Sequence, residues 1–235
     1  HFAPAYALIQ TLKKNHEIVL VGRRFAFQGD NSESFEYLNR EKLGVKFVDL
    51  ETARFSRKIT WHSVVAFFKA PKALLKALHI LKKEKPDIVL SFGGYISIPV
   101  CIASKMLSIP IVIHEQTQGA GLANKYISKI AQKVCISFES SKKFYPVSKT
   151  ILTGLPVRGE VTQIIKEFDI SKKYPILYIT GGSTGSHFIN ELVEKTIDTI
   201  LKKFSVIHQT GRSKFGDFER LSKIRDKLPD SAKSR

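Results

Sequence analysis

The 235-residue chain contains two cysteines, one methionine and one tryptophan. It also has no apolar run approaching the ~20 residues that a membrane-spanning helix needs. The longest apolar stretches, residues 95–103 and 109–113, are far shorter. Cys101 and Cys135 both stand inside apolar runs; they read as small buried hydrophobes in a reducing compartment, not as a disulfide framework or a metal site. No basic segment followed by an apolar core and cleavage site opens the chain, so no secretory signal is legible and a cytoplasmic location is the default. Low-complexity tracts and short repeats are missing, and the 43% apolar and 25% charged composition is that of an ordinary globular protein, which argues against disorder, collagen and coiled coil. Acidic residues are also scarce. Against 38 Lys and Arg there are 21 Asp and Glu, a net charge of +17, and such a field favours an anionic partner: nucleic acid, a lipid surface or a phosphorylated substrate. A general lysine bias of the source is the plain alternative.

What is present is alternation. Short Val- and Ile-rich runs at residues 17–21, 45–50, 87–92, 110–114, 133–137, 175–180 and 205–209 read as buried parallel strands. Between them, residues 5–14, 71–84, 98–107, 121–131 and 186–203 have helical length and period. The series predicts an α/β fold of doubly wound parallel sheets. A polar stretch after Gly154, Leu155 and Pro156, followed by a new strand with its own glycine-rich turn, divides the chain into a first domain over 1–156, a linker over 157–172 and a second domain over 173–235. Both domains read as incomplete: a helix starts at His1 without a strand to feed it, and the second domain offers only two strands.

Four constellations carry candidate chemistry. Gly181, Gly182, Ser183, Thr184 and Gly185 lie between a strand and a helix, where close backbone approach and free helix N–H groups suit a diphosphate. The same residues fit the nucleophile elbow G-x-S-x-G of hydrolases, with Asp198 and His208 as poorly spaced triad partners. Phe92, Gly93, Gly94 and Tyr95 form a second such turn. His114, Glu115, Gln116 and Thr117, followed by Gly119, Gly121 and Asn124, stand at a strand's carboxyl end, the edge where open α/β sheets bind ligands. A His beside a Glu suits acid/base work, although neighbours on a strand point opposite ways. For each of these turns the bland alternative is capping or a solvated strand end.

Finally, Lys69, Lys72, Lys76 and Lys83 form one stripe on a continuous helix, with Leu74, Leu75, Leu78 and Leu81 on another face and Trp61, Phe67 and Phe68 just before Pro71. Basic and aromatic character together suits docking in the plane of an anionic membrane; a core-packing amphipathic helix is the alternative. Nucleic-acid binding is the distant rival, for no recognised module or zinc-ligand spacing accompanies the lysines.

Together these motifs resemble the MurG family of UDP-N-acetylglucosamine transferases. The resemblance rests on His1-Phe2-Ala3-Pro4-Ala5, Phe92-Gly93-Gly94-Tyr95-Ile96-Ser97, Ile109 to Gln116, Gly121-Leu122-Ala123-Asn124, Leu155-Pro156-Val157-Arg158, Gly181-Gly182-Ser183 and His208-Gln209-Thr210-Gly211, in the family's order. It implies a GT-B fold, two Rossmann-like domains with the active site between them. It further implies inverting transfer of N-acetylglucosamine from UDP-N-acetylglucosamine to a lipid-linked muramyl pentapeptide in peptidoglycan synthesis, with no cofactor, metal or nucleic acid, at the cytoplasmic face of the membrane. By this resemblance His1, then His114 or Glu115, are the candidate bases. Gly93, Gly94, Tyr95, Gln116, Thr117 and Asn124 take the acceptor, while Arg158, Gly182, Ser183, Thr184, Gly185 and Gln209 take the donor. Trp61, Phe67, Phe68, Lys69, Lys72 and Lys76 meet the membrane. The chain departs from the family at Thr117 and Leu155, where Asn is usual, and at Thr184, where Gln is usual. A related transferase with another lipid acceptor is the nearest alternative. As a fragment, the chain is expected to lack part of the donor site.

Overall fold

A computed structural model describes residues 2–25, 33–50, 61–163, 173–182, 185–211 and 215–229, with the backbone alone for residues 61–70 and 162. They fall into two compact units, residues 1–163 and 164–235.

The first unit opens with α1 (Phe2–Leu12), β1 (Val19–Gly22), the short α2 (Phe35–Leu38) and α3 (Arg40–Leu43), and β2 (Lys46–Asp49). It continues through α4 (Trp61–Glu84), β3 (Val89–Ser91), α5 (Ser97–Met106), β4 (Ile111–Glu115), α6 (Leu122–Ile127), β5 (Lys133–Ile136), two 3-10 turns (Glu139–Phe144 and Val147–Lys149), β6 (Thr150–Leu152) and α7 (Gly159–Thr162). β1 pairs parallel with β2, and β3-β4-β5-β6 form an all-parallel sheet in chain order. Parallel neighbours require crossovers, which α5, α6 and, between β5 and β6, the two 3-10 turns supply.

The register of β4 decides which of its side chains enter the core. With a side-chain period of two, Ile111, Ile113 and Glu115 share a face, and both isoleucines are fully buried against Ile127, Val134, Ile136 and Tyr145. Each such side chain contributes about 1.5–3 kcal/mol on burial. A one-residue slip would take both isoleucines out of this cluster, so the register carries Glu115 onto their face and His114 onto the opposite one.

The helix expected over residues 71–84 begins earlier, at Trp61, and contains Pro71. Ala77, Ile80 and Leu81 pack with Leu50, Val100 and Ala103, Leu74 and Leu78 lie beside them, and Ala73 is buried on the same helix. Leu75 does not share that face: it is 67% exposed, beside the exposed Lys72 and Lys76. The reason is the 3.6-residue turn, which sets position 75 nearly opposite the inward positions 73, 77 and 80. Among the described residues, no helix is long and apolar enough to cross a membrane.

The second unit is β7 (Ile176–Thr180), α8 (His187–Ile200), β8 (Ser205–Gln209) and α9 (Asp217–Lys227), with β7 and β8 parallel from Ile176↔Ser205 to Thr180↔Gln209. α8 starts directly after the glycine turn, with Ser186 as its N-cap. Gly185 has φ +80°, its N–H donates to the Gly182 carbonyl at 2.8 Å, and Ser186 caps the helix through the Ile189 N–H. A left-handed residue cannot extend a right-handed helix, so Gly182 and Gly185 precede α8 and are not its first turn.

Candidate active site

The carboxyl ends of β3, β4, β5 and β6 bring four loops to one edge, and β4 supplies the two titratable groups. Glu115 is 1% exposed and saturated. Its Oε1 accepts from the Thr117 N–H (3.0 Å) and Oγ1 (2.7 Å), and its Oε2 accepts from the Gly121 N–H (2.8 Å), Asn124 Nδ2 (3.1 Å) and the Tyr145 hydroxyl (2.7 Å). Burial by itself raises a carboxyl, but the bonds from Gly121, Thr117, Tyr145 and Asn124 outweigh it and hold Glu115 below the ordinary carboxylate range. The Tyr145 phenol is driven upward by burial and by Glu115. A carboxylate with this many donors holds a loop together; it has no free face for an incoming proton.

His114, 2% exposed, is arranged differently. Its Nε2 lies 3.1 Å from the Gly154 carbonyl and 3.4 Å from Ser137 Oγ, and the ring sits 5.8 Å from that of Phe92. A carbonyl only accepts, so Nε2 carries the proton. Nδ1 then keeps its lone pair, and it has no hydrogen-bond partner among the described residues.

Asn124 joins the β3 and β4 loops. Its Nδ2 donates to the His114 carbonyl at 3.2 Å as well as to Glu115, while its buried Oδ1 is unpartnered among the described residues. Gly93 and Gly94 are left-handed, with φ +83° and +81°. A Cβ on Gly93 would stand 3.0 Å from Asn124 Oδ1. Gly93, His114, Glu115, Thr117 and Asn124 are therefore in one place, as the sequence motifs implied, with Gln116 leaving β4 beside them. Tyr95 is bonded to Arg23 beyond β1, and the Arg23 guanidinium lies 5.5 Å from the ring centroid.

Arg158 caps α7 within the first unit and lies over Tyr6, 5.7 Å from its ring centroid. In the second unit, Gly185 packs on the backbone ahead of Gly211: a Cβ there would be 2.0 Å from the Thr210 carbonyl oxygen. Gln209 Oε1 accepts from Tyr178 (2.7 Å) and Thr180 (3.0 Å), which leaves its amide N–H groups to face elsewhere. A cluster that sequence reasoning missed ties α8 to α9. Buried Asp217 accepts from His187 Nδ1 (2.8 Å), Asn190 (2.9 Å) and Arg220 (2.9 Å), and His187 stacks on Phe215. His1, Ser183 and Thr184 lie outside the described residues, as do the side chains of Trp61, Phe67, Phe68 and Lys69. Among the described residues, no three His, Cys, Asp or Glu side chains cluster as metal ligands.

Residues 1–136 match the glycosyltransferase family 28 N-terminal domain, and residues 176–227 match its C-terminal domain. The chain belongs to the MurG-type transferases of glycosyltransferase family 28. The UDP-N-acetylglucosamine--N-acetylmuramyl-(pentapeptide) pyrophosphoryl-undecaprenol N-acetylglucosamine transferase of Clostridium botulinum strain Langeland is 34% identical over the whole chain, which spans 68% of that relative. The enzyme of the same name from Staphylococcus carnosus is 35% identical over 85% of the chain and 55% of its own length. A crystal structure of Acinetobacter baumannii MurG superposes with a TM-score of 0.58 at 24% identity, over 94% of this chain and 58% of that one.

As a family 28 member the chain is a glycosyltransferase, and its parallel α/β sheets are of the expected GT-B type. The hydrolase reading of Ser183 gives way to that membership. Tyr145 and Gly154, which the motifs did not flag, are the partners that hold Glu115 and His114. Nothing local marks either residue, for each acts across strands.

Proposed function

We propose that this chain carries the acceptor side and part of the donor side of an inverting transferase. In this reading N-acetylglucosamine passes from UDP-N-acetylglucosamine to a lipid-linked muramyl pentapeptide, as in the reaction for which its relatives are named. The acceptor hydroxyl oxygen attacks the anomeric carbon, the bond from that carbon to the diphosphate oxygen breaks, and UDP departs with the electron pair. The hydroxyl proton goes to a base. His114 is the base we favour, and the observation that carries the reading is its setting: Nε2 lies 3.1 Å from the Gly154 carbonyl, which can only accept, while Nδ1 has no hydrogen-bond partner among the described residues. Glu115 is reassigned to shaping residues 116–124. Gly93, Gly94, Tyr95, Gln116, Thr117 and Asn124 line the acceptor side. Gln209 and the turn containing Gly182 and Gly185, with Ser183 and Thr184, receive the nucleotide sugar, where backbone N–H groups suit a diphosphate; Arg158 carries a guanidinium of the kind that pairs with a diphosphate. His1 stands as a second candidate base.

The same reading attaches the protein peripherally to the cytoplasmic face of the membrane. Exposed Lys72, Leu75 and Lys76 on α4 present charge and an apolar side chain together, the combination that anionic lipid selects. Trp61, Phe67, Phe68 and Lys69 lie on the same helix.

The test is radiolabel transfer from UDP-N-acetylglucosamine to the lipid-linked acceptor by the full-length protein and by His114→Gln, which keeps an N–H for Gly154 but lacks the Nδ1 base. Loss of general-base assistance lowers kcat by about 10²–10⁴-fold, with the KM for the donor unchanged. A variant within threefold of the parent removes His114 as the base, and no transfer by the parent overturns the function.

A further inference from the structure

The polar cluster between α8 and α9 has no part in the chemistry proposed for His114, and apolar packing does not account for it. Asp217 is fully buried and Asn190 is 1% exposed. A buried carboxylate and a buried amide are costly unless each is bonded, so the partners of the two fix their directions. His187, Asn190 and Glu194 are spaced three and four apart and share one face of α8. They meet Asp217 and Arg220 in the first turn of α9: Asp217 accepts from His187 and Asn190, and Arg220 pairs with Glu194 at 2.8 Å. Asp217 also stands at the positive end of the α9 dipole, which favours a carboxylate there.

Asn190 carries the cluster to the glycine turn. Its Nδ2 donates both to Asp217 Oδ2 (2.9 Å) and to the Thr210 carbonyl just beyond β8 (3.0 Å). An amide can present either its oxygen or its NH₂. Here both neighbours only accept, so the Asp217 carboxylate selects the orientation in which NH₂ also reaches Thr210. The same Thr210 carbonyl is the group on which Gly185 packs: a Cβ on Gly185 would stand 2.0 Å from that oxygen and 3.1 Å from the Gly211 Cα. One chain of contacts thus runs from Asp217 through Asn190 and Thr210 to the turn that ends at Gly185.

We infer that Asp217 and Asn190 are positioning residues for the nucleotide sugar: the carboxylate orients the amide, the amide holds Thr210 against Gly185, and the glycine turn is thereby set for the donor diphosphate. This rests on the reading above, which gives Gly182, Gly185 and Gln209 to UDP-N-acetylglucosamine. Neither positioning residue touches the donor.

Steady-state transfer by the full-length protein, with each substrate varied in turn and melting temperatures measured alongside, tests this. Asp217→Asn keeps an oxygen for His187 and Arg220 but turns an NH₂ toward Asn190, so the Asn190 amide loses its fixed orientation. Asn190→Ser is too short to reach Thr210. A donor that must first order the turn then binds more weakly by the worth of the bond lost, about threefold to tenfold. Both variants should raise the donor KM and the inhibition constant of UDP by that factor and leave the acceptor KM unchanged. Arg220→Ala removes the contacts to Asp217 and Glu194 but spares the Asn190 link, so it should lower the melting temperature without moving the donor KM. A donor KM unchanged in Asp217→Asn and Asn190→Ser overturns the inference. So does a donor KM that rises equally in Arg220→Ala, which makes the cluster a brace between helices. Gln209→Ala separates the two levels: a raised donor KM there, with none in Asp217→Asn, confines the failure to the inference, whereas no change in any variant, or no transfer by the parent, overturns the donor reading itself.

Discussion

Replacing Glu115 with Gln separates a loop-holding carboxylate from a catalytic one. Five donors converge on the carboxylate, from Thr117 N–H and Oγ1, Gly121 N–H, Asn124 Nδ2 and the Tyr145 hydroxyl. A glutamine best keeps its oxygen at the Oε2 position, facing three of them, and turns its NH₂ toward Thr117. The Thr117 hydroxyl can rotate to accept, but the Thr117 N–H then meets another donor. That unsatisfied amide costs about 1–3 kcal/mol, and the three retained bonds each weaken by about 1 kcal/mol on losing the charge. The sum is roughly 4–6 kcal/mol, or a melting temperature lower by roughly 8–24 °C at about 2–4 °C per kcal/mol for a domain of this size. Differential scanning calorimetry of the full-length protein reads the shift, and hydrogen exchange reads lost protection at Thr117 and Gly121. The pH dependence follows from the lowered carboxyl. A group depressed in the folded state stabilises above its unfolded value, about 4.3, and that stability is lost as pH falls through the folded value. The parent's advantage over Glu115→Gln should therefore hold from about pH 7 to about pH 5 and shrink below about pH 4. A variant melting within about 2 °C of the parent, with both amides still protected, refutes the reasoning.

Other substitutions probe the remaining elements. Gly185→Ala would place a Cβ 2.0 Å from the Thr210 carbonyl oxygen at a φ of +80°, so a loss above about 4 kcal/mol is expected; urea unfolding within about 1 kcal/mol of the parent would show that the turn can move. Reversing charge at Lys72 and Lys76, both exposed, should weaken binding to anionic vesicles at least about tenfold, at ~1 kcal/mol per lysine, and equal binding returns α4 to a purely packing role. Arg158→Ala should raise the inhibition constant of UDP while also removing the cation–π contact on Tyr6, worth about 0.5–2 kcal/mol of stability; unchanged UDP inhibition takes Arg158 out of the donor site.

Periodicity alone was enough to read the parallel α/β plan, because buried strands such as Ile111 to Glu115 and amphipathic helices such as α4 carry their burial in local spacing. The short motifs located the glycine turn after β3 and the His114–Glu115 pair at the carboxyl end of β4, since strand ends and turns are local events. What each titratable group does was not local. Glu115 looked like a base beside a histidine; only the β4 register, which turns it toward Asn124 on α6 and Tyr145 30 positions later, makes it a loop-holding anion. The Nε2 of His114 meets the Gly154 carbonyl, 40 positions away, and Arg23 meets Tyr95 in the turn after β3, 72 positions away. Leu75 departs from its expected face because a single helical residue off the packing face reverses from core to surface. The sequence by itself determined the fold plan and gathered the candidate residues at one edge of the sheet. The roles at that edge were decided only by tertiary structure, because a hydrogen bond's donor and acceptor are paired by proximity in space and not by proximity along the chain.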